Sequence, residues 1–197
     1  MAELHLTQDP EADRLLTKDP LALLVGMVLD QQVPLERAFR SPLDLRDRLG
    51  GVLDPGAIAA MDPEALAAVF STKPALHRFP GSMARRVQEL CRLIVSEFGG
   101  NAASIWDTAP DGATLLARVK ALPGFGEQKA RIFVALIGKQ LGIRPDGWEA
   151  ASAPFGAPGT YQSIADIDSP ESLAKVRHYK QQVKAAAKAT TASSGSR

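Results

Sequence analysis

The stretch Leu122–Gly142, "LPGFGEQKARIFVALIGKQLG", reads as a tight turn that opens into a helix. Pro123 fixes the approach. Gly124 and Gly126 bracket the turn, and glycine permits positive φ and close contact with another backbone. The preceding stretch, Leu115–Leu122 ("LLARVKAL"), is also helical, so Leu115–Leu141 forms a helix–hairpin–helix unit. The second helix starts at about Gly126. Its first N–H groups have no intrahelical partner and lie at the positive end of the helix dipole, which makes them a seat for an anion such as a phosphate. Lys120, Lys129 and Arg131 add positive charge around that seat.

Outward from the hairpin, almost every segment reads as helix. "DPEADRLL", "DPLALLVGMVLDQQ", "DPGAIAAM" and "DPEALAAVF" share an acidic cap followed by proline at the first position. "SPLDLRDRLGG" repeats the pattern with Ser41 as cap and Pro42 after it. The segment Asp19–Gln32 is apolar all round, which predicts a central buried helix. A long helix is expected from Ser82 to Gly99 and a last one from Ser169 to Ala189, with Leu173, Val176, Tyr179 and Val183 as its apolar stripe. Strand-length alternation of apolar and polar residues is missing. The expected fold is all-α, a two-lobed bundle of short helices in a single domain over residues 1–188. Residues 19–145 form the central lobe with the hairpin at 115–141. The N- and C-terminal helices form the second lobe, and residues 189–197 are a disordered tail.

Composition narrows the chemistry. Of 197 residues, 45% are hydrophobic, the proportion of an ordinary globular chain. The single cysteine, Cys91, excludes an intramolecular disulfide and any multi-cysteine zinc or iron–sulfur site. It falls on the apolar side of a helix, as a buried structural thiol does. Net charge is +1, but its distribution is uneven: residues 1–70 carry −6, residues 71–145 carry +6 and residues 146–197 carry +1. The hairpin therefore lies in the basic segment, which suits an anionic partner. Leu21–Leu29 is too short to cross a bilayer, and the N-terminus has no basic region of the signal-peptide kind, so the expected location is the cytoplasm. His5, His77 and His178 show no metal-ligand spacing, and neither a serine elbow nor a P-loop occurs.

The order of these segments, from Asp19 to Ala153, resembles the helix–hairpin–helix (HhH-GPD) superfamily of DNA glycosylases, of the endonuclease III-like type but without its iron–sulfur cluster. "DPLALLVGMVLDQQV" is similar to the family's early glutamine-bearing helix, "FPGSMARRVQEL" to its middle helix, and "ALPGFGEQKARIFVAL" to its hairpin. The resemblance implies a monomer acting on double-stranded DNA with a damaged or mispaired base. It implies DNA contacts from Gly124, Phe125, Gly126, Gln128 and Lys129, and allows a monovalent cation at the hairpin. It also implies that Gln31 or Gln32, the latter better matched, fills the gap left by a flipped base. The family's catalytic aspartate follows the first hairpin glycine by about 22 residues, which lands on Asp146. A carboxylate there stabilises the oxocarbenium-like sugar as the N-glycosidic bond breaks. Local sequence alone makes Asp146 a helix cap with Glu149 as its capping-box partner.

Departures from the family refine the expectation. Bifunctional members carry a lysine nucleophile two residues after the second hairpin glycine, and that slot is Gln128 here. Lys129 is rotated by about 100° around the helix and is expected to face phosphate or solvent. The implied activity is monofunctional hydrolysis without β-lyase chemistry. Pro145 and Gly147 flank Asp146, unlike the family's usual residues. The second Pro-Gly, at Pro80–Gly81, is either another phosphate contact or a turn capped by Ser82. Trp148 and Phe155 are candidates to stack on a flipped base, and Tyr161 and His77 to hydrogen-bond it, although core packing or surface placement is the better reading of each. The alternative function is a non-catalytic duplex-DNA-binding protein.

Overall fold

The computed structural model describes residues 3–194, with side chains described to Ala186. The elements are α1 (Pro10–Lys18), α2 (Pro20–Leu29), α3 (Leu35–Arg48), α4 (Pro55–Ala60), α5 (Pro63–Ser71), α6 (Pro80–Phe98), α7 (Ser104–Asp107), α8 (Gly112–Ala121), α9 (Glu127–Gln140), α10 (Trp148–Ser152), a 3-10 turn (Ile164–Asp166) and α11 (Pro170–Ser194). The described residues contain no strand, and the fold is all-α. None of their helices is long and apolar enough to cross a membrane.

Acidic caps set most of the early boundaries. The carboxylates of Asp9, Asp19, Asp54, Asp62 and Asp111 accept the first N–H groups of α1, α2, α4, α5 and α8. Proline follows the cap in the first four, where its missing N–H costs nothing. α2 is buried along its whole length from Leu21 to Leu29, because it is the axis around which the other helices pack. α1 and α3 lie against it, and α6 crosses it with α4 and α5 on its outer side. α8, α9 and α10 form a second group, and the 3-10 turn sits on α9. α11 packs on the 3-10 turn and is tied by an Arg177–Glu36 ion pair to the start of α3. One continuous apolar core runs from Leu4 to Val176, so the two groups share a core.

Three boundaries differ from the sequence reading. Ser41 and Pro42 lie inside α3, which begins six residues earlier than "SPLD", at Leu35. Ser41 caps nothing. Its hydroxyl donates to the carbonyls of Arg37 (2.8 Å) and Leu76 (2.7 Å), which lets a buried serine sit before an internal proline. α6 starts at Pro80, so Ser82 is within the helix and is not its cap. α11 continues to Ser194, beyond the expected end at Ala189; the alanine- and lysine-rich stretch around Lys184–Lys188 favours helix and carries it on. Residues 195–197 of the expected tail lie outside the described residues. On the α11 stripe, Leu173 and Val176 are buried, while Tyr179 and Val183 are exposed.

Gly26 sets the spacing between α2 and α3. A Cβ there would come within 2.7 Å of Phe39 Cδ1, and Phe39 is fully buried. Gly26→Ala is therefore expected to cost about 1–3 kcal/mol through overpacking, read as a lower urea midpoint with an unchanged slope.

Candidate nucleic-acid interface and adjoining cavity

The hairpin between α8 and α9 is held from below. Phe125 N–H donates to the Leu122 carbonyl (3.1 Å), and the Phe125 ring meets Phe133 edge-on at 5.8 Å. Phe125 is buried, so its side chain anchors the hairpin in the core. The two glycines have different reasons. Gly124 has φ +88°, and a Cβ on it would come 2.9 Å from Arg86 Cδ. Gly126 has an ordinary φ of −83° and open space where a Cβ would be. The chain itself does not need glycine at 126.

Two long helices start at this surface without a side-chain cap: α9 at Gly126 and α6 at Phe79. That leaves their first N–H groups for an outside acceptor. Arg86 links them, since its stem covers Gly124 and its guanidinium donates to Gln31 Oε1 (3.3 Å). Gln31 is held further. Its Nε2 donates to the Val28 carbonyl (2.8 Å), and its own carbonyl lies 2.9 Å from His77 Nε2. His77 Nδ1 accepts the Phe79 N–H (3.0 Å), so the proton sits on Nε2 and is donated to Gln31. This clamp leaves the next residue, Gln32, exposed with φ +57°, a left-handed conformation in a residue with a Cβ. Phe79, hydrogen-bonded to His77 through its N–H, is 43% exposed, with the Arg78 guanidinium over its ring at 5.4 Å. Phe79 and Arg78 were not singled out from sequence; an aromatic directly before the second Pro-Gly was the available signal.

The charges around the hairpin are arranged differently from the expectation. Lys120 and Arg131 both pair with Glu127, whose carboxyl they hold below the usual range. Lys129 is half-buried and lines the cavity behind the hairpin. Its Nζ donates to the carbonyls of Met27 (2.7 Å) and Asp30 (3.3 Å), at the C-terminal end of α2. Burial pushes the Lys129 ammonium pKa down, against the pull of Asp30. The exposed cations on this face are instead Arg78 and Arg85, around the start of α6.

Behind the hairpin, the start of α9, the end of α2, the 3-10 turn and α11 enclose a cavity of about 450 Å³. Asp30, Gln128, Lys129, Ile132, Ser163 and Lys180 are among the residues that line it. Gln128 is exposed, in the slot where a nucleophilic lysine would stand. Asp30 is half-buried, and burial pushes its carboxyl up while Lys180 and Lys129 work against that rise. Sequence reasoning passed over both Asp30 and Lys180. A charge ending an all-apolar helix was the signal for Asp30, and nothing local marks Lys180.

The structure does not bring Asp146 to this cavity. Asp146 is exposed, and its carbonyl accepts Gly112 N–H (2.7 Å) at the start of α8. The hairpin is at the other end of α8, a helix of ten residues and so about 15 Å away. The reason lies in the path after α9. The chain turns at Gly142 (φ +72°) and crosses sideways to Gly112, where a Cβ would come within 2.6 Å of Trp148 N. It reaches α8 first, and only beyond Asp146 does it return along α9, where Arg131 donates to the Ala151 (3.2 Å) and Ala153 (3.1 Å) carbonyls, so a count of residues does not measure the distance. Nor does Asp146 cap α10. Gly147 holds the cap position with φ +76° and no side-chain cap is made. Trp148 and Phe155 pack on the core, and Trp148 covers Gly138 with the Arg144 guanidinium 5.7 Å from its ring. The Tyr161 hydroxyl accepts from Lys175 (3.2 Å). Cys91 is buried, with its thiol pushed up to about 12 by burial. No group of three or more metal-ligating side chains occurs among the described residues.

A family model described as HhH-GPD superfamily base excision DNA repair protein matches residues 25–192, a span from within α2 to near the end of α11. No curated protein sequence matches the chain.

Two outcomes follow from this geometry. Gln32→Gly relieves a left-handed backbone, so the variant is expected to unfold at or up to about 1 kcal/mol above wild type. Its affinity for a duplex with an abasic site is expected to fall all the same. For Asp30, a raised folded-state pKa means that stability is highest below the unfolded value of 3.8 and is lost as pH rises through the folded value. Asp30→Asn is thus expected to melt above wild type at pH 7, with the advantage vanishing in melts taken below pH 3.8.

Proposed function

The chain belongs to the HhH-GPD superfamily of base excision DNA repair proteins, and we propose that it is a monofunctional DNA glycosylase. In this reading it hydrolyses the N-glycosidic bond of a damaged or mispaired base flipped out of a duplex. The observation that carries it is the amide of Gln128 at the mouth of the cavity, with the neighbouring Lys129 amine spent on the carbonyls of Met27 and Asp30. The hairpin amine that lines the cavity is thus held by two carbonyls, and water is the nucleophile.

Each part of the surface has a task in that reaction. The uncapped starts of α9 and α6 seat backbone phosphates, with Arg78 and Arg85 adding attraction that salt screens. Flipping costs a few kcal/mol, less for a damaged or mispaired base. Gln32, held outward by the Gln31–His77 clamp, fills the hole. The cavity receives the extruded nucleotide. A carboxylate facing it stabilises the positive charge that builds on the sugar. Asp146 keeps the family's spacing to the hairpin, and Asp30 occupies the cavity. No cofactor is needed for this chemistry, and a monomer presents the whole surface. The separation of Asp146 from the hairpin favours a second reading, a duplex-binding protein without catalysis.

The test is a panel of duplexes that each hold one lesion: uracil, 5-hydroxymethyluracil, an alkylated purine, an oxidised purine, or adenine opposite oxidised guanine. Excision at one or more, revealed as strand breaks only after alkali, is the expected result. Duplex affinity without excision on any lesion supports the second reading. Borohydride should trap no covalent adduct. A trapped adduct lost in Lys180→Ala would replace monofunctional hydrolysis with amine chemistry from α11. Affinity should also fall steeply as salt rises to physiological strength.

A further inference from the structure

We propose that Asp30, at the end of α2, is the carboxylate that stabilises the sugar cation in the cavity behind the hairpin. The inference rests on the glycosylase reading and names the residue that performs its central step. Three observations converge on it.

The first is place. Asp30 lines the same cavity as Gln128, which stands in the first turn of the uncapped helix α9. A nucleotide with its phosphate on the hairpin therefore turns its sugar toward this cavity. The second is availability. The other buried or partly buried aspartates of this half of the chain are committed: Asp9 and Asp19 cap helices, Asp44 pairs with Arg37 (3.1 Å) and Arg40 (3.4 Å), and Asp13 accepts Leu6 N–H (3.1 Å), Thr7 N–H (2.9 Å) and the Thr7 hydroxyl (2.8 Å). Among the described residues, no hydrogen bond or ion pair is made to the Asp30 carboxylate oxygens, although Lys180 and Lys129 act on them electrostatically. The third is rigidity. Asp30 N–H donates to the Gly26 carbonyl (3.0 Å), its carbonyl takes Lys129 Nζ, and the next residue is Gln31 in its clamp. A carboxylate that loses solvation and gains no partner destabilises the fold, and such a cost is repaid only when a cation arrives.

The step balances simply. The C1′–N bond breaks and the departing base keeps the electron pair, taking a proton from solvent. Positive charge spreads over C1′ and the ring oxygen, facing Asp30. Water then adds its oxygen to C1′ and passes its proton to the Asp30 carboxylate, which releases it to solvent.

The experiment uses two duplexes that need no knowledge of the lesion. One carries a cationic pyrrolidine in place of a deoxyribose, the other a neutral tetrahydrofuran. Equilibrium affinities are measured at one salt concentration for wild type, Asp30→Asn and Asp146→Asn, with melting curves confirming that each is folded. Wild type is expected to prefer the cationic duplex at least tenfold. Asp30→Asn should lose that preference to within about twofold while its affinity for the neutral duplex holds. A preference that survives Asp30→Asn overturns the inference, as does one abolished by Asp146→Asn, or its absence from wild type. Failure of the glycosylase reading appears separately, as absence of excision by wild type across the lesion panel.

Discussion

A lysine ammonium placed against the end of a buried helix holds this surface together. α2 points its negative dipole end at the hairpin, and its last carbonyls have no partners within the helix. Lys129, from the first turn of α9, supplies the missing donor to Met27 and Asp30. That contact spans about 100 residues of sequence and joins the first half of the fold to the second. It fixes how far the hairpin stands from α2, and so sets the width of the cavity between them. The residues after α2 inherit the same rigidity through Gln31, Arg86 and His77. Lys129 therefore works from inside the protein, as the mount for the hairpin.

Much of the fold was legible because its signals are local. Aspartate before proline at four helix starts needs only the first turn to act, and each appears where the sequence places it. The hairpin was readable because the turn, its glycines and the two flanking helices are contiguous. Gln128 in the nucleophile's slot was equally plain, since one helical turn fixes its direction relative to the hairpin.

What escaped depended on the path of the chain in three dimensions. Asp146 was found by counting from Gly124, but a count is a distance only while the intervening backbone keeps its course. Gly142 sends it toward α8 instead. Lys129 and Phe125 were assigned to the surface from their place in a motif, whereas the position of α2 and of Phe133 decides which way they point. Asp30 was hidden for the opposite reason. It ends an apolar helix, where a charge normally marks arrival at solvent, and only the approach of α9 and α11 makes it the wall of a cavity.

Cys91 gives the molecule one more property. Its sulfur is fully enclosed on α6, at the centre of the fold, and burial keeps it protonated, with the pKa at about 12. A thiol in that state reacts only when the surrounding helices part and water enters. As the chain has no other cysteine, its alkylation in native solution is a single-site clock for opening of the core. The same silence leaves the exterior free for an introduced cysteine, so that a fluorophore placed near Gln32 or Phe79 could follow the meeting of protein and duplex without background from the native chain.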